Sequence, residues 1–205
     1  MVAKIEAAVR AGVDWVQIRE KEMPTRQLLA IARAAVGMTN HKPAPPGGAD
    51  RPGPLILVND RLDVALATDA AGIHLGRESL PAQEVVDWRQ REKMVVDLMV
   101  GLSCHTIDEL RQAQDAGVDY AFLGPVFDTP AKRPFGPPLG IAKFAAACRA
   151  TRLKVIAIGG VTLGNSAECF HAGAAGIAAI RMFQQTWELA ELKRAVRRLH
   201  SIGQR

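Results

Sequence analysis

With 205 residues, 48% of them hydrophobic and 5% aromatic, the chain is long enough to bury one substantial core of Ala, Val, Leu and Ile. A formal charge of +5, without aromatic residues interleaved among the basic ones, argues against nucleic acid and suits small phosphorylated ligands. Neither a membrane-spanning run nor a signal peptide is visible, and three scattered cysteines (Cys104, Cys148, Cys169) point to a cytoplasmic protein with reduced thiols.

Met1 leads straight into VAKIEAAVR, whose amphipathic spacing predicts a helix over 2–11, followed by a strand over 14–19. The next helix is expected over 24–37, with Pro24 at an early position where its missing N–H costs nothing. Strands are then expected over 55–58, 72–75, 95–101, 120–124, 155–158 and 176–180. The helices between them are expected over 61–68, 81–91, 106–116, 141–149 and 162–171, and the last begins near Thr186. One phrase recurs. Ala11-Gly12, Ala71-Gly72, Ala116-Gly117 and Ala172-Gly173 each close a helix and open an apolar strand, with a glycine suited to a left-handed cap.

Strand–helix alternation at this rhythm predicts a parallel sheet with crossover helices. The expected architecture is an α/β, (βα)8 TIM barrel in a single domain over 1–205, lacking its first β-strand in this chain. Either the natural N-terminus lies upstream, or the barrel closes with a gap or a borrowed strand. The Pro/Gly-rich stretch over 38–54 reads as a mobile insertion at the N-terminal face, away from the chemistry, with His41 solvent-exposed.

Polar residues gather where strands end, which is where a barrel builds its site. The first strand ends Gln17-Ile18-Arg19-Glu20-Lys21. Gln17 and Arg19 alternate and are candidates to point inward, where an Arg needs an anionic partner such as a substrate phosphate or a carboxylate. Asn59 and Asp60 close the second strand and suit either Mg²⁺ ligation or helix capping, the commoner use. His74 is a candidate core histidine, and Glu78 and Ser79 precede a helix start at Pro81. Ser103 and His105 alternate at the end of the fourth strand, and His105 titrates in the range of proton transfer at neutral pH. No acidic neighbour in sequence fixes its tautomer. The long loop after the fifth strand, 124–140, carries Thr129, Lys132 and Arg133, which are placed to wrap a diphosphate and exclude water. After the strand in LKVIAIGG, Gly159-Gly160 and a helix capped by Thr162 offer bare amides to an anion. A tight turn needing positive φ is the equal alternative.

Taken together, QIREK at 17–21, NDR at 59–61, HLG at 74–76, G-x-S-x-H-T at 101–106, FDTPAK…PPLG and AIGG at 157–160 resemble the thiamine phosphate synthase/thiazole tautomerase superfamily. The resemblance runs in order from about residue 2 to 200 and implies a (βα)8 barrel. It implies a transferase of thiamine biosynthesis that joins hydroxymethylpyrimidine diphosphate to thiazole phosphate and releases diphosphate, with Mg²⁺ as cofactor. Carried over by position, Gln17, Arg19 and Lys21 would hold the pyrimidine and its diphosphate, with Asn59 on the diphosphate. Asp60 would take Mg²⁺, and Ser103 would meet the pyrimidine or diphosphate. Thr129 and Lys132 would lie on a mobile loop, Gly159 and Gly160 at the thiazole phosphate, and Lys132, Ser103 and His105 would carry catalytic roles.

Three positions depart from the family's pattern. Ser79 stands where the resemblance implies a second Mg²⁺ carboxylate, so metal affinity should be weaker. Ala131 replaces a hydroxyl. Arg181 stands where a Ser helps hold phosphate and offers a guanidinium fork instead. Two alternatives remain: a metal-independent thiazole tautomerase using His105, and a relative that binds phosphate ligands without turnover. The expected partners are small phosphorylated substrates, with no nucleic acid and no membrane, and with room for a homodimer.

Overall fold

Short runs of Val, Ile, Leu and Ala make the strands, two of them (72–75 and 120–123) buried on both faces throughout, and the computed structural model describes residues 1–39, 53–92, 97–184 and 188–204. Seven strands lie among these residues: β1 (Trp15–Ile18), β2 (Leu55–Asn59), β3 (Gly72–Leu75), β4 (Met99–Cys104), β5 (Tyr120–Leu123), β6 (Lys154–Ile158) and β7 (Gly176–Ala178). The helices are α1 (Val2–Ala11), α2 (Thr25–Gly37), α3 (Leu62–Ala67), α4 (Ala82–Arg91), α5 (Ile107–Asp115), α6 (Ile141–Arg149), α7 (Ser166–His171), α8 (Arg181–Gln184) and α9 (Leu189–Gly203). Strand order follows the chain from β1 to β7, and β1–β2, β2–β3, β4–β5, β5–β6 and β6–β7 pair in parallel. This is the expected α/β TIM-type alternation without a strand before α1. No helix among the described residues is long and apolar enough to cross a membrane. His41 and most of the Pro/Gly-rich stretch lie outside the described residues, as does Thr186.

The chain divides into two units. The first comprises Met1–His74, Asp97–Met99 and Thr186–Val196. Its core joins Ile5, Ile18, Leu28, Ile56, Val58 and Val64, with Leu28, Ala32 and Ala35 forming the buried stripe of α2. The second comprises Leu75–Val96, Val100–Gln185 and Arg197–Arg205. Here β5 is buried throughout, as are Leu110 and Ala113 of α5 and Phe144 and Ala147 of α6. Tyr120 of β5 is fully buried, and a Cβ on Gly101 would fall 2.0 Å from its ring Cζ, so β4 yields its side-chain volume to that ring.

Several boundaries differ from expectation for local reasons. Pro24 sits one residue before α2, at the N-cap, its carbonyl accepting from Gln27 and Leu28. β4 runs from Met99 to Cys104, past the expected end at 101, and opens where the Met99 amide donates to the Ala71 carbonyl at 2.9 Å, while residues 95 and 96 of the expected strand lie outside the described residues. The recurring Ala-Gly cap fails at one site. Asp69, not Gly72, takes the left-handed conformation (φ 53), while Gly72 opens β3, where a Cβ would meet the Met99 carbonyl oxygen at 2.5 Å. α7 starts at Ser166. The turn before it is closed by Thr162 Oγ1, which accepts from the Asn165 amide at 3.3 Å, and by Asn165 Oδ1, which accepts from the Thr162 amide at 2.7 Å.

Candidate active site

In the first unit, β1 and β2 pair so that Gln17 lies opposite Leu57 and Ile18 opposite Val58. Gln17 Nε2 donates to Asn59 Oδ1 at 2.8 Å, and Asn59 Nδ2 donates to Asp60 Oδ2 at 2.5 Å. The three side chains thus form a directed chain that ends on a carboxylate. Asp60 has φ 63, a left-handed conformation uncommon outside glycine, and its amide donates to the His74 carbonyl at 2.9 Å. The N-cap of α3 falls to Arg61, so neither Asn59 nor Asp60 occupies the capping position left open by the sequence. Arg61 instead donates to Asp63 from Nε at 2.9 Å and from Nη2 at 2.6 Å, and Nη2 also reaches Thr25 Oγ1 at 3.1 Å.

Arg19, a candidate to point inward, carries an exposed side chain. β1 stops at Ile18, and both Arg19 and Lys21 are exposed beyond its end. His74 is only 1% exposed, which supports the core-histidine reading. Burial lowers its pKa to about 4, and the Asp60 and Arg19 charges act on it in opposite directions, upward and downward. His74 is therefore neutral at neutral pH, beneath two charges carried by strand ends.

In the second unit, Ser79 Oγ accepts from the Gly76 amide at 2.6 Å and closes the loop after β3. Ser103 is half-buried within β4, and His105 is exposed just past it. His105 Nδ1 lies 2.6 Å from the Gly124 carbonyl, a partner far away in sequence. Its amide donates to Glu109 Oε2 at 2.5 Å, while the Glu109 amide donates to Thr106 Oγ1 at 3.1 Å. The Thr106-x-x-Glu109 spacing at the start of α5 was the legible signal for this capping arrangement. Sequence reasoning had missed both Glu109 and Gly124.

The loop after β5 forms a 3₁₀ turn over Pro130–Phe135. Arg133 grips Asp128 with contacts of 3.1, 3.2 and 2.5 Å and holds its carboxyl below the usual carboxylate range, while both side chains remain exposed. Arg133 is thus committed within the loop. Lys132 is exposed beside it. Arg181, the first residue of α8, donates to Thr129 Oγ1 at 3.0 Å and links that loop to the end of the last strand.

Gly159 and Gly160 have φ 89 and φ 68, and a Cβ on either would fall 2.6–2.7 Å from backbone of residues 125–128. The loop is sewn to them by Val126 N–H to Ile158 O at 2.9 Å and Phe127 N–H to Gly159 O at 3.0 Å. The tight-turn requirement is therefore met in full. The Gly160 and Val161 amides have no backbone acceptor among the described residues, which also leaves donors for an anion. α7 starts six residues after Gly160 and is only 6 residues long, so these amides, not the helix dipole, would supply the cradle.

A model of the thiamine monophosphate synthase family matches residues 1–183. The chain belongs to this family. Among its relatives is the thiamine-phosphate synthase of Roseiflexus sp. (strain RS-1), 36% identical over 176 residues, covering 86% of this chain and 68% of the relative. The thiamine-phosphate synthase of Moorella thermoacetica is 34% identical over 198 residues, covering 97% and 86%. The solved structure of a thiamine phosphate pyrophosphorylase from Pyrococcus furiosus superposes with a TM-score of 0.78 at 28% identity, covering 99% of this chain and 89% of the other. Family membership agrees with the resemblance carried by QIREK, NDR and AIGG, and the superposition agrees with the expected fold.

Proposed function

We propose that this chain catalyses the family's transfer, joining a hydroxymethylpyrimidine group from its diphosphate to the nitrogen of a thiazole phosphate. The observation that carries the reading is the Gln17–Asn59–Asp60 chain, which aims a steadied carboxylate from the ends of β1 and β2. In the reaction the C–O bond of the pyrimidine methylene breaks and its electron pair leaves with diphosphate. The thiazole nitrogen lone pair then forms the C–N bond. Such a step needs fixed positive charge on the leaving group, and Arg19 and Lys21 supply it in this reading. Gln17 and Asn59 orient the pyrimidine and its diphosphate in the first unit, and Ser103 is the candidate substrate hydroxyl of the second. Gly159, Gly160 and Arg181 take the thiazole phosphate, with Thr129 and Lys132 as the loop that excludes water.

Among the described residues no group of three or more His, Cys, Asp or Glu side chains is arranged to hold a metal. Mg²⁺ nevertheless fits Asp60, because it binds through one or two carboxylates and takes its remaining oxygens from substrate phosphates and water. Bound there, it would supply Lewis-acid stabilisation of the diphosphate. Ser79 Oγ, engaged by the Gly76 amide, is the weaker donor. A cytoplasmic location and a homodimeric assembly complete the proposal, the latter to be read by light scattering.

The test is incubation with both substrates, with and without Mg²⁺, and mass detection of thiamine phosphate. Product is expected only with Mg²⁺, and Asp60→Ala should abolish it. Coupling that proceeds without metal would count against the assignment. Aromatisation of the thiazole without coupling, dependent on His105, would replace it with the tautomerase reading.

A further inference from the structure

The end of β4 holds an imidazole whose surroundings the proposed reaction does not yet explain. His105 Nδ1 is 2.6 Å from the Gly124 carbonyl oxygen. A carbonyl only accepts, so in the neutral ring this contact places the proton on Nδ1 and leaves Nε2 as a bare lone pair. The acceptor cannot drift. The Gly124 amide donates to the Cys104 carbonyl at 3.3 Å, and a Cβ on Gly124 would lie 2.0 Å from the Ile158 carbonyl oxygen. The main chain of His105 is held from the helix side, its amide donating to Glu109 Oε2 at 2.5 Å. Glu109 is itself anchored in the first turn of α5, its amide bonded to Thr106 Oγ1. Nε2 has no hydrogen-bond partner among the described residues, and the residue is exposed.

We propose that Glu109 is a positioning residue for His105. With the Gly124 carbonyl, it holds the ring as the Nδ1–H tautomer and leaves Nε2 as the nitrogen that accepts a proton or hydrogen bond from the bound ligand. Free histidine in water favours the opposite tautomer, so the protein has to impose this one. Residues from three places are needed to do it: the strand end, the first turn of α5 and the backbone after β5.

Two-bond ¹H–¹⁵N correlation spectra read the protonated ring nitrogen directly at a pH where His105 is neutral, with His105→Asn supplying the assignment. The wild type and Glu109→Gln, which keeps an acceptor, should show Nδ1–H, and Glu109→Ala should move the population toward Nε2–H. Thr106→Ala removes a cap from the same helix without removing the carboxylate and should keep Nδ1–H. An Nε2–H wild type, or a Glu109→Ala spectrum identical to wild type, overturns the proposal. Only the kinetic arm rests on the proposed coupling reaction. There Glu109→Ala should lower kcat about tenfold, with KM nearly unchanged and Glu109→Gln restoring the rate. A change confined to KM overturns the positioning role. A wild type that shows Nδ1–H but no coupling supports the tautomer and overturns the reaction.

Discussion

Asp60 combines a left-handed backbone with a carboxylate steadied by Asn59, and the two features can be separated by substitution. Asparagine tolerates the same backbone region as aspartate, so Asp60→Asn should leave the unfolding free energy from urea denaturation within about 0.5 kcal/mol of wild type while coupling is lost. Asn59→Ala breaks the chain at its middle. It takes the Asn59 acceptor from the Gln17 amide and the Asn59 donor from Asp60 Oδ2, and should lower kcat/KM by about ten- to a hundredfold. That Asn59 and Asp60 matter was legible from their place at a strand end. Their geometry was not, because φ 63 at Asp60 goes with an amide bonded to the His74 carbonyl of the neighbouring strand, which no local pattern encodes. The thiols belong to this scale too. Burial pushes Cys104 up to about 12 and Cys148 and Cys169 up to about 11. Titration with a disulfide reagent at pH 8 should find them slow in the folded protein and fast in denaturant.

At the scale of elements, glycines and caps decide what the apolar runs become. Gly124→Ala would drive a methyl group into the Ile158 carbonyl and should cost at least about 2 kcal/mol by urea denaturation. Thr106→Ala removes a formed N-cap and should cost about 1 kcal/mol. Among the described residues most strand and helix identities were readable, because hydrophobic period and glycine punctuation agree at Val2–Ala11, Leu55–Asn59 and Lys154–Ile158, but the short helix α8 and the 3₁₀ turn over Pro130–Phe135 were not expected. Register was not readable. The run from Met94 to Leu102 has no internal mark for where a ladder starts, and the strand opens where the Met99 amide donates to the Ala71 carbonyl. The Ala-Gly phrase misled at Gly72 because glycine serves two needs, a left-handed cap or a close approach. Only the neighbouring strand tells them apart.

For the whole molecule, β–α alternation from β1 to β7 was legible, since each repeat needs only a helix stop and an apolar run. The resemblance to the thiamine monophosphate synthase family was legible too, because its motifs stand in order along residues that match it. The reading of residues 1–205 as one domain remains a proposal with a direct calorimetric check. One cooperative transition is expected, and two separated transitions would divide the chain into independently melting parts. Substrate capture by a chain of formal charge +5 should weaken as salt rises, read as an increase in KM for the diphosphate substrate between low and physiological ionic strength.

The space that Gly101 cedes to the Tyr120 ring constrains how this lineage can vary. A methyl group at Gly101 collides with ring carbon as well as hydroxyl, so trimming Tyr120 to Phe brings no relief, whereas an aliphatic residue there would. Alanine at Gly101 should therefore be deleterious in the present background and tolerated after Tyr120→Val. The cycle of the two substitutions should be strongly non-additive in thermal midpoint. One order of mutation is open to descendants and the other is closed.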